Sequence, residues 1–270
     1  MESKIISKFE ELEDIREEWK ELELNSDITF YDTFNFNYNW ANSYKNDNSK
    51  ELFVICIYDN KKIIAIMPLV IQELKKKFVK YKELNFMADA DYKNVIVDKR
   101  YNINKIHNII FDLIKRNDYR WDLLNLNHIS EKSYVFKFLL KNTYYNKNLK
   151  MSMECPVIFL DKYTNYDNYK HYFSNSHVNK YRNKLLREVG YILNVVRDDS
   201  MFDSMVDTHI KEQSYMNEKY NNKDRYSIFN EKDKLNYIRD LYKKSKNTIT
   251  FIIEGHDKEI IAYSTCSIYN

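Results

Sequence analysis

Glycine is almost missing from this chain. Gly190 and Gly255 are the only two in 270 residues, and they lie far apart. A loop that wraps a phosphate group needs closely spaced glycines, because glycine enters the left-handed backbone region freely and brings no Cβ to obstruct the ligand. No G-x-G-x-x-G, Walker or G-x-S-x-G pattern can therefore be written here. Dinucleotide-binding, P-loop and α/β-hydrolase folds are excluded together. Each glycine has an ordinary post: Gly190 closes a helix as a left-handed cap, and Gly255 sits in a hairpin turn.

Hydrophobic residues make up 44% of the chain and aromatic ones 16%, ample for a packed core. The 43 basic and 40 acidic residues nearly cancel, so attraction to a polyanion would have to come from local clusters. Abundant Tyr, Phe, Asn, Lys and Ile are also what an A/T-rich genome encodes, and this weakens any argument from their number alone. Cys56, Cys155 and Cys266 are dispersed and odd in number, which predicts reduced thiols in the core of a cytoplasmic protein. The opening MESKIISKFEELEDI has no signal-peptide core, and no run approaches the roughly 20 apolar residues of a membrane span.

The order of elements repeats. KIISKF predicts a strand, and FEELEDIREEWKELELNS spaces Phe9, Leu12, Ile15, Trp19 and Leu22 as one buried helix face. An aromatic stretch, FYDTFNFNYNWANSYK, precedes ELFVICIYDNKKIIAIMPLVI, two apolar runs hinged at Asp59-Asn60-Lys61-Lys62. Later, YILNVV predicts a strand, Asp199 to Lys219 a helix, and FIIEGHDKEIIAYSTCSIYN a closing hairpin after a polar aromatic segment. Setting Lys62 opposite Glu259 aligns Lys61 with Lys258, Ile63 with Ile260, Ile64 with Ile261 and Ala65 with Ala262. Between the copies, KYKELNFM, DYKNVIVD and WDLLNLNHI read as strands, the last of them buried. NINKIHNIIFDLIKRN and EKSYVFKFLLKN read as helices, the first with Ile103, Ile106, Ile110 and Leu113 inward, and CPVIFL opens the second half. The second copy has counterparts of only the early elements, so the expectation is a duplicated α/β unit, residues 1–150 and 151–270, whose second copy is incomplete at its C-terminus.

These stretches, from the Trp-bearing helix through FVICIYDNKKIIAIMPLVI, DYKNVIVD, WDLLNLNHI, CPVIFL and a basic helix, resemble the tandem GNAT-fold acyltransferases. The closest pattern is that of the cellulose-biosynthesis-type acetyltransferase domain, related to the FemABX peptidyltransferases. The resemblance implies two GNAT-like units side by side, the second holding the acyl donor, with acetyl-CoA as that donor. In the family a glycine-containing loop at a helix N-terminus carries the donor pyrophosphate, and this sequence has no such loop through Asn270.

SNSHVNKYRNKLLREVGY is bounded by serine and glycine, with Val178, Tyr181, Leu185 and Val189 on one predicted face. Lys180, Asn183, Lys184 and Arg187 fall on the other, a positive stripe suited to donor or acceptor phosphates, or equally to a solvated surface helix. Relatives carry a similar basic helix there. Asp91 and Tyr92 match a family Asp-Tyr position that lines an acceptor groove, although an exposed turn explains them as well. His209 lies on the second-copy helix that borders the cleft in GNAT folds, and Arg225 follows it. No set of residues has metal-ligand spacing, and no catalytic base is identifiable. The expected activity is acyl transfer from a CoA carrier to an amine or hydroxyl of a sugar, peptide or envelope precursor. The alternatives are FemABX-like aminoacyl transfer from tRNA, disfavoured because residues 165–245 lack a coiled-coil arm, and a noncatalytic polyanion-binding module; nucleic acid is not the expected partner.

Overall fold

The computed structural model describes residues 1–173, 176–221, 225–244 and 248–268. Its contacts define two compact units, one of Met1–Lys150 with Asn230–Ser245, the other of Met151–Phe229 with Lys246–Ser267.

The first unit begins with β1 (Glu2–Ile6), α1 (Phe9–Asp14), α2 (Arg16–Leu24) and α3 (Phe34–Tyr44). Then come β2 (Lys50–Leu52), β3 (Val54–Asp59), β4 (Lys62–Met67), β5 (Leu69–Lys76), β6 (Val79–Phe86) and β7 (Ile96–Val97). It continues through α4 (Ile103–Arg116), β8 (Leu123–Asn125) and α5 (Tyr134–Lys141). The strands form two ladders, β1-β3-β4-β7 and β2-β5-β6-β8. Pro68, which has no N–H to donate, stands where the chain passes from one ladder to the other.

Both faces of the β3-β4 hairpin are covered, which is why its strands read as unbroken apolar runs. Val54, Cys56, Ile63 and Ile66 pack under α1, α2 and α3 around Trp19 and Phe34. Ile55, Ile57 and Ile64 pack with Ile106 and Ile110 of α4 and Val135 and Leu139 of α5. The turn at Asn60 and Lys61 places both residues at positive φ, 49° and 67°, the type I′ geometry that suits a twisted hairpin. Helix α4 follows the expected spacing, with Ile106 and Ile110 fully buried and Ile103 and Leu113 at the margin.

The second unit contains α6 (Tyr166–Phe173), α7 (Ser176–Glu188), β9 (Ile192–Val196) and α8 (Phe202–Tyr220). Helix α9 (Lys232–Lys244) belongs to the first unit, where Tyr237 is buried against Phe36; β10 (Thr248–Glu254) and β11 (Ile260–Ser267) return to the second. The sheet order is β11-β10-β9, so β11 is an edge strand. Phe202 and Met205 of α8 are buried, as are Phe229, which Phe202 meets edge-on, and Ile252 of β10. Leu193, Val195 and Phe251 stay exposed on the sheet.

Several expectations are corrected. CPVIFL, at the opening of the second half, is exposed and joins no ladder among the described residues, and its Leu160 begins a 3-10 turn. WDLLNLNHI contributes only the three residues of β8, which pairs with β6 alone and leaves Leu123 exposed. Cys56 is buried, but Cys155 and Cys266 are exposed, one on that unpaired segment and one on an edge strand. On α7, Val178, Tyr181 and Val189 are exposed and only Leu185 is partly covered, since no other element packs broadly on that face among the described residues. The polar aromatic segment before the last hairpin contains a full helix, α9.

Gly190 does close α7 in the left-handed region, with φ at 66°. A Cβ there would stand 2.0 Å from Nε2 of His256. Gly190→Ala should cost about 1–2 kcal/mol in urea unfolding from the backbone alone. A His256→Ala background should recover only the part due to the clash.

Candidate functional site

All strand pairs of the first unit's named ladders are antiparallel except one. Strands β6 and β8 run parallel, Glu83 facing Leu123 and Asn85 facing Asn125, joined by the crossover through α4. Chain leaving the carboxyl ends of parallel strands forms the natural crevice of an α/β sheet, because neighbouring backbones diverge there. Here the two exits are 87–94 and 126–133.

They remain tied together past the strands. Lys93 N–H donates to the His128 carbonyl (3.0 Å), and Lys93 and Ile129 form an isolated parallel bridge. Nδ1 of His128 lies 2.8 Å from Oδ1 of Asp91, so the carboxylate orients the imidazole. Nζ of the buried Lys93 donates to Oδ1 of Asn127 at 3.3 Å. Burial lowers the Lys93 pKa, opposed by the charges of Asp89 and Asp91. Three residues of these exits, Ala88, Tyr92 and His128, hold positive φ of 65°, 55° and 57° without being glycine. Such conformations cost about 1 kcal/mol or more each and persist only where the surroundings impose them, a recurrent property of ligand sites.

Beside this cluster lies a cavity of about 640 Å³, lined among others by Glu23, Asp27, Tyr92, Asn94, Ser130 and Lys137. Among the described residues Oδ1 of Asn94 is buried with no hydrogen-bond partner. Glu23 is partly buried, and desolvation raises its pKa despite the Phe34 N–H donated to Oε1 at 2.6 Å. Behind it, Asp32 accepts from the Thr29 backbone N–H (2.8 Å) and hydroxyl (3.0 Å). Burial still pushes Asp32 up to about 6, with the Glu23 charge adding to the rise. At the cavity's other wall Ser133 caps α5 by accepting from Phe136 N–H at 3.1 Å. The site thus offers a carboxylate-oriented imidazole at 37% exposure, a partly desolvated carboxyl and an unpaired amide oxygen. Groups of that kind can receive a proton and hold a polar acceptor.

Of the residues named from sequence, Asp91 and Tyr92 stand at this cluster. Lys180, Asn183, Lys184 and Arg187 lie exposed on α7, in the second unit, with Nζ of Lys184 3.7 Å from Glu188. His209 on α8 has Nδ1 2.8 Å from the hydroxyl of Ser227, which also accepts the Phe229 N–H (3.2 Å), and its ring meets Phe229 edge-on. Arg225 is exposed, and its backbone N–H donates to Asn217 Oδ1 at 3.2 Å. Sequence reasoning missed Glu23, Lys93, Asn94, Asn127 and His128. The only available signal was that DYKN opens one predicted strand, DYKNVIVD, and NLNHI closes another, WDLLNLNHI.

Among the described residues no three His, Cys, Asp or Glu side chains are grouped to hold a metal, and no helix is long and apolar enough to cross a membrane. No protein-family model matches the sequence, and neither does any curated protein. Among solved structures, the ribosomal-protein-alanine N-acetyltransferase of Brucella melitensis biovar Abortus 2308 is similar over 59% of this chain and 98% of its own, at 9% identity and a TM-score of 0.32. A possible acetyltransferase of Clostridium difficile 630 is similar over 58% and 99%, at 16% identity and 0.33. Glucosamine-6-phosphate N-acetyltransferase of Arabidopsis thaliana is similar over 59% and 99%, at 20% identity and 0.31. Likeness at this level carries no chemistry with it.

Proposed function

We propose that the chain is a GNAT-type acyltransferase of two tandem units, passing an acyl group from a CoA thioester to an amine or hydroxyl acceptor, and that the first unit binds the acceptor. The observation that carries this reading is the Asp91–His128 pair at the carboxyl ends of the one parallel strand pair, beside the cavity that contains Asn94. In it His128 accepts the proton released as the acceptor attacks the thioester carbonyl, Asp91 keeps the ring in its working orientation, and Asn94 Oδ1 accepts from the acceptor's N–H or O–H.

Tandem construction is supported by local detail. At 2–67 a strand, two helices, a three-residue 3-10 turn, a third helix, the short β2 and a hairpin succeed one another; at 192–267 a strand, one helix, a three-residue 3-10 turn, a helix and a hairpin do. Both hairpins carry a register shift just before the turn, at Ile57/Tyr58 and Ile253/Glu254, and the aligned Lys61 and Lys258 have φ of 67° and 65°. The first unit does not fit a donor pyrophosphate at α4: no glycine precedes that helix, and Asn102 already accepts from Lys105 N–H. For this reason the first unit is assigned the acceptor alone. One observation favours the noncatalytic alternative, the exposure of the Lys180, Lys184 and Arg187 stripe to any polyanion.

Release of free CoA thiol from acetyl-CoA, followed with a panel of amino sugars and peptides, tests the assignment. Acceptor-dependent release supports it. Absence of both release and calorimetric acceptor binding, with tight single-stranded RNA binding instead, would move the chain to the polyanion-binding class.

A further inference from the structure

The β5-β6 hairpin is longer than the sheet needs. β2 covers β5 only from Val70 to Gln72, and β8 pairs with β6 only from Glu83 to Asn85. From Leu74 to Tyr81 the two strands pair with each other alone among the described residues and carry nothing of the core at their tip. The segment reads ELKKKFVKYK, five lysines against one glutamate, and residues 75–80 are all exposed. Phe78 at the turn is 97% exposed and Val79 65%.

Two features have no explanation within the fold. Lys75 faces Lys80 directly across the ladder, a like-charge pair that costs stability. Only Lys80 is compensated, by Glu73 at 2.8 Å; among the described residues Lys75, Lys76 and Lys77 are in no ion pair. Lys77 also occupies the turn at φ 56°, where glycine would be easier. The alternation of the strands puts Glu73, Lys75, Lys80 and Lys82 on one face and Leu74, Lys76, Val79 and Tyr81 on the other, with Phe78 projecting from the end and lysines on both sides of it.

We propose that this hairpin tip docks the protein onto an anionic membrane surface, Phe78 and Val79 entering the interface while the lysines meet lipid headgroups. A convex tip with one aromatic ring suits a flat, anionic, apolar-backed partner. Single-stranded nucleic acid instead calls for a groove and a series of stacking rings. A single aromatic tip anchors weakly, so attachment depends on the lysines and is reversible and salt-sensitive. The inference is independent of the proposed activity.

The test uses the whole chain and vesicles of phosphatidylcholine, with or without about one third phosphatidylglycerol. Co-sedimentation is expected only with the anionic vesicles and should weaken as salt rises. Lys75→Gln with Lys77→Gln should reduce partitioning about thirty-fold, from about 1 kcal/mol per lysine. Phe78→Trp should bind normally, and the fluorescence it adds to that of the parent should shift to the blue and be quenched by brominated lipid. Since the tip lies outside the core, all variants should melt like the parent. Failure to sediment, sedimentation indifferent to the lysine change, or binding that leaves the emission of the Phe78→Trp variant unshifted would each overturn the proposal. A blue shift of that variant produced by single-stranded RNA and not by vesicles would overturn it in favour of nucleic acid.

Discussion

His107→Leu should turn a nearly flat dependence of stability on pH between pH 6 and 4 into one that rises as pH falls. The ring of His107 is fully buried on α4, stacked on Phe138 at 5.3 Å, and neither nitrogen has a well-formed hydrogen bond. Burial lowers its pKa from 6.5 to about 4, only partly opposed by the Ile103 backbone. Between those values the unfolded chain binds a proton that the folded chain refuses, so stability falls with pH, by about 3 kcal/mol over the window. Asp32 works the other way. Its folded pKa of about 6 lies above the unfolded 3.8, so as pH falls the folded state takes the proton first and gains about 3 kcal/mol. Glu23, also raised, adds to Asp32. The two opposing groups should leave the parent nearly flat in this range. The Leu variant should be the more stable protein near pH 4, by about 3 kcal/mol, and Asp32→Asn should show the opposite, acid-sensitive slope. Urea unfolding at a series of pH values checks all three. Parallel profiles for parent and Leu variant would mean that the ring reaches water.

His128→Ala should lower acyl transfer by about 10²–10⁴-fold, the usual contribution of a positioned base, while acceptor binding changes little. Asp91→Asn should give a smaller loss, because Asp91 acts through the ring, and its carboxylate is half exposed, so water can partly replace it. A turnover within about threefold of the parent for His128→Ala would remove the imidazole from the mechanism, whatever the fate of the acyltransfer assignment.

Periodicity made much of the first unit legible. Ile106 and Ile110 follow from helical spacing, and the β3-β4 hairpin from two apolar runs around Asn60-Lys61, because these patterns are local and each residue's neighbours decide its burial. The same method misjudged α7, whose apolar spacing is regular but finds no surface to cover among the described residues. It also read all of WDLLNLNHI as a buried strand, although only Leu123–Asn125 finds a partner backbone, in β6.

The candidate site was half visible. Asp91 and Tyr92 were named from a family Asp-Tyr position at a strand start, but His128 lies 37 residues from Asp91 and no spacing rule links them. By itself, the amino-acid sequence determined which glycine-rich loops residues 1–270 lack and where helix α4 and the β3-β4 hairpin form. The parallel pairing of β6 with β8, the burial of Lys93 and the opposed titrations of His107 and Asp32 were decided only by tertiary structure. Long-range pairing and desolvation depend on which distant segments share a wall, and a one-dimensional pattern does not carry that information.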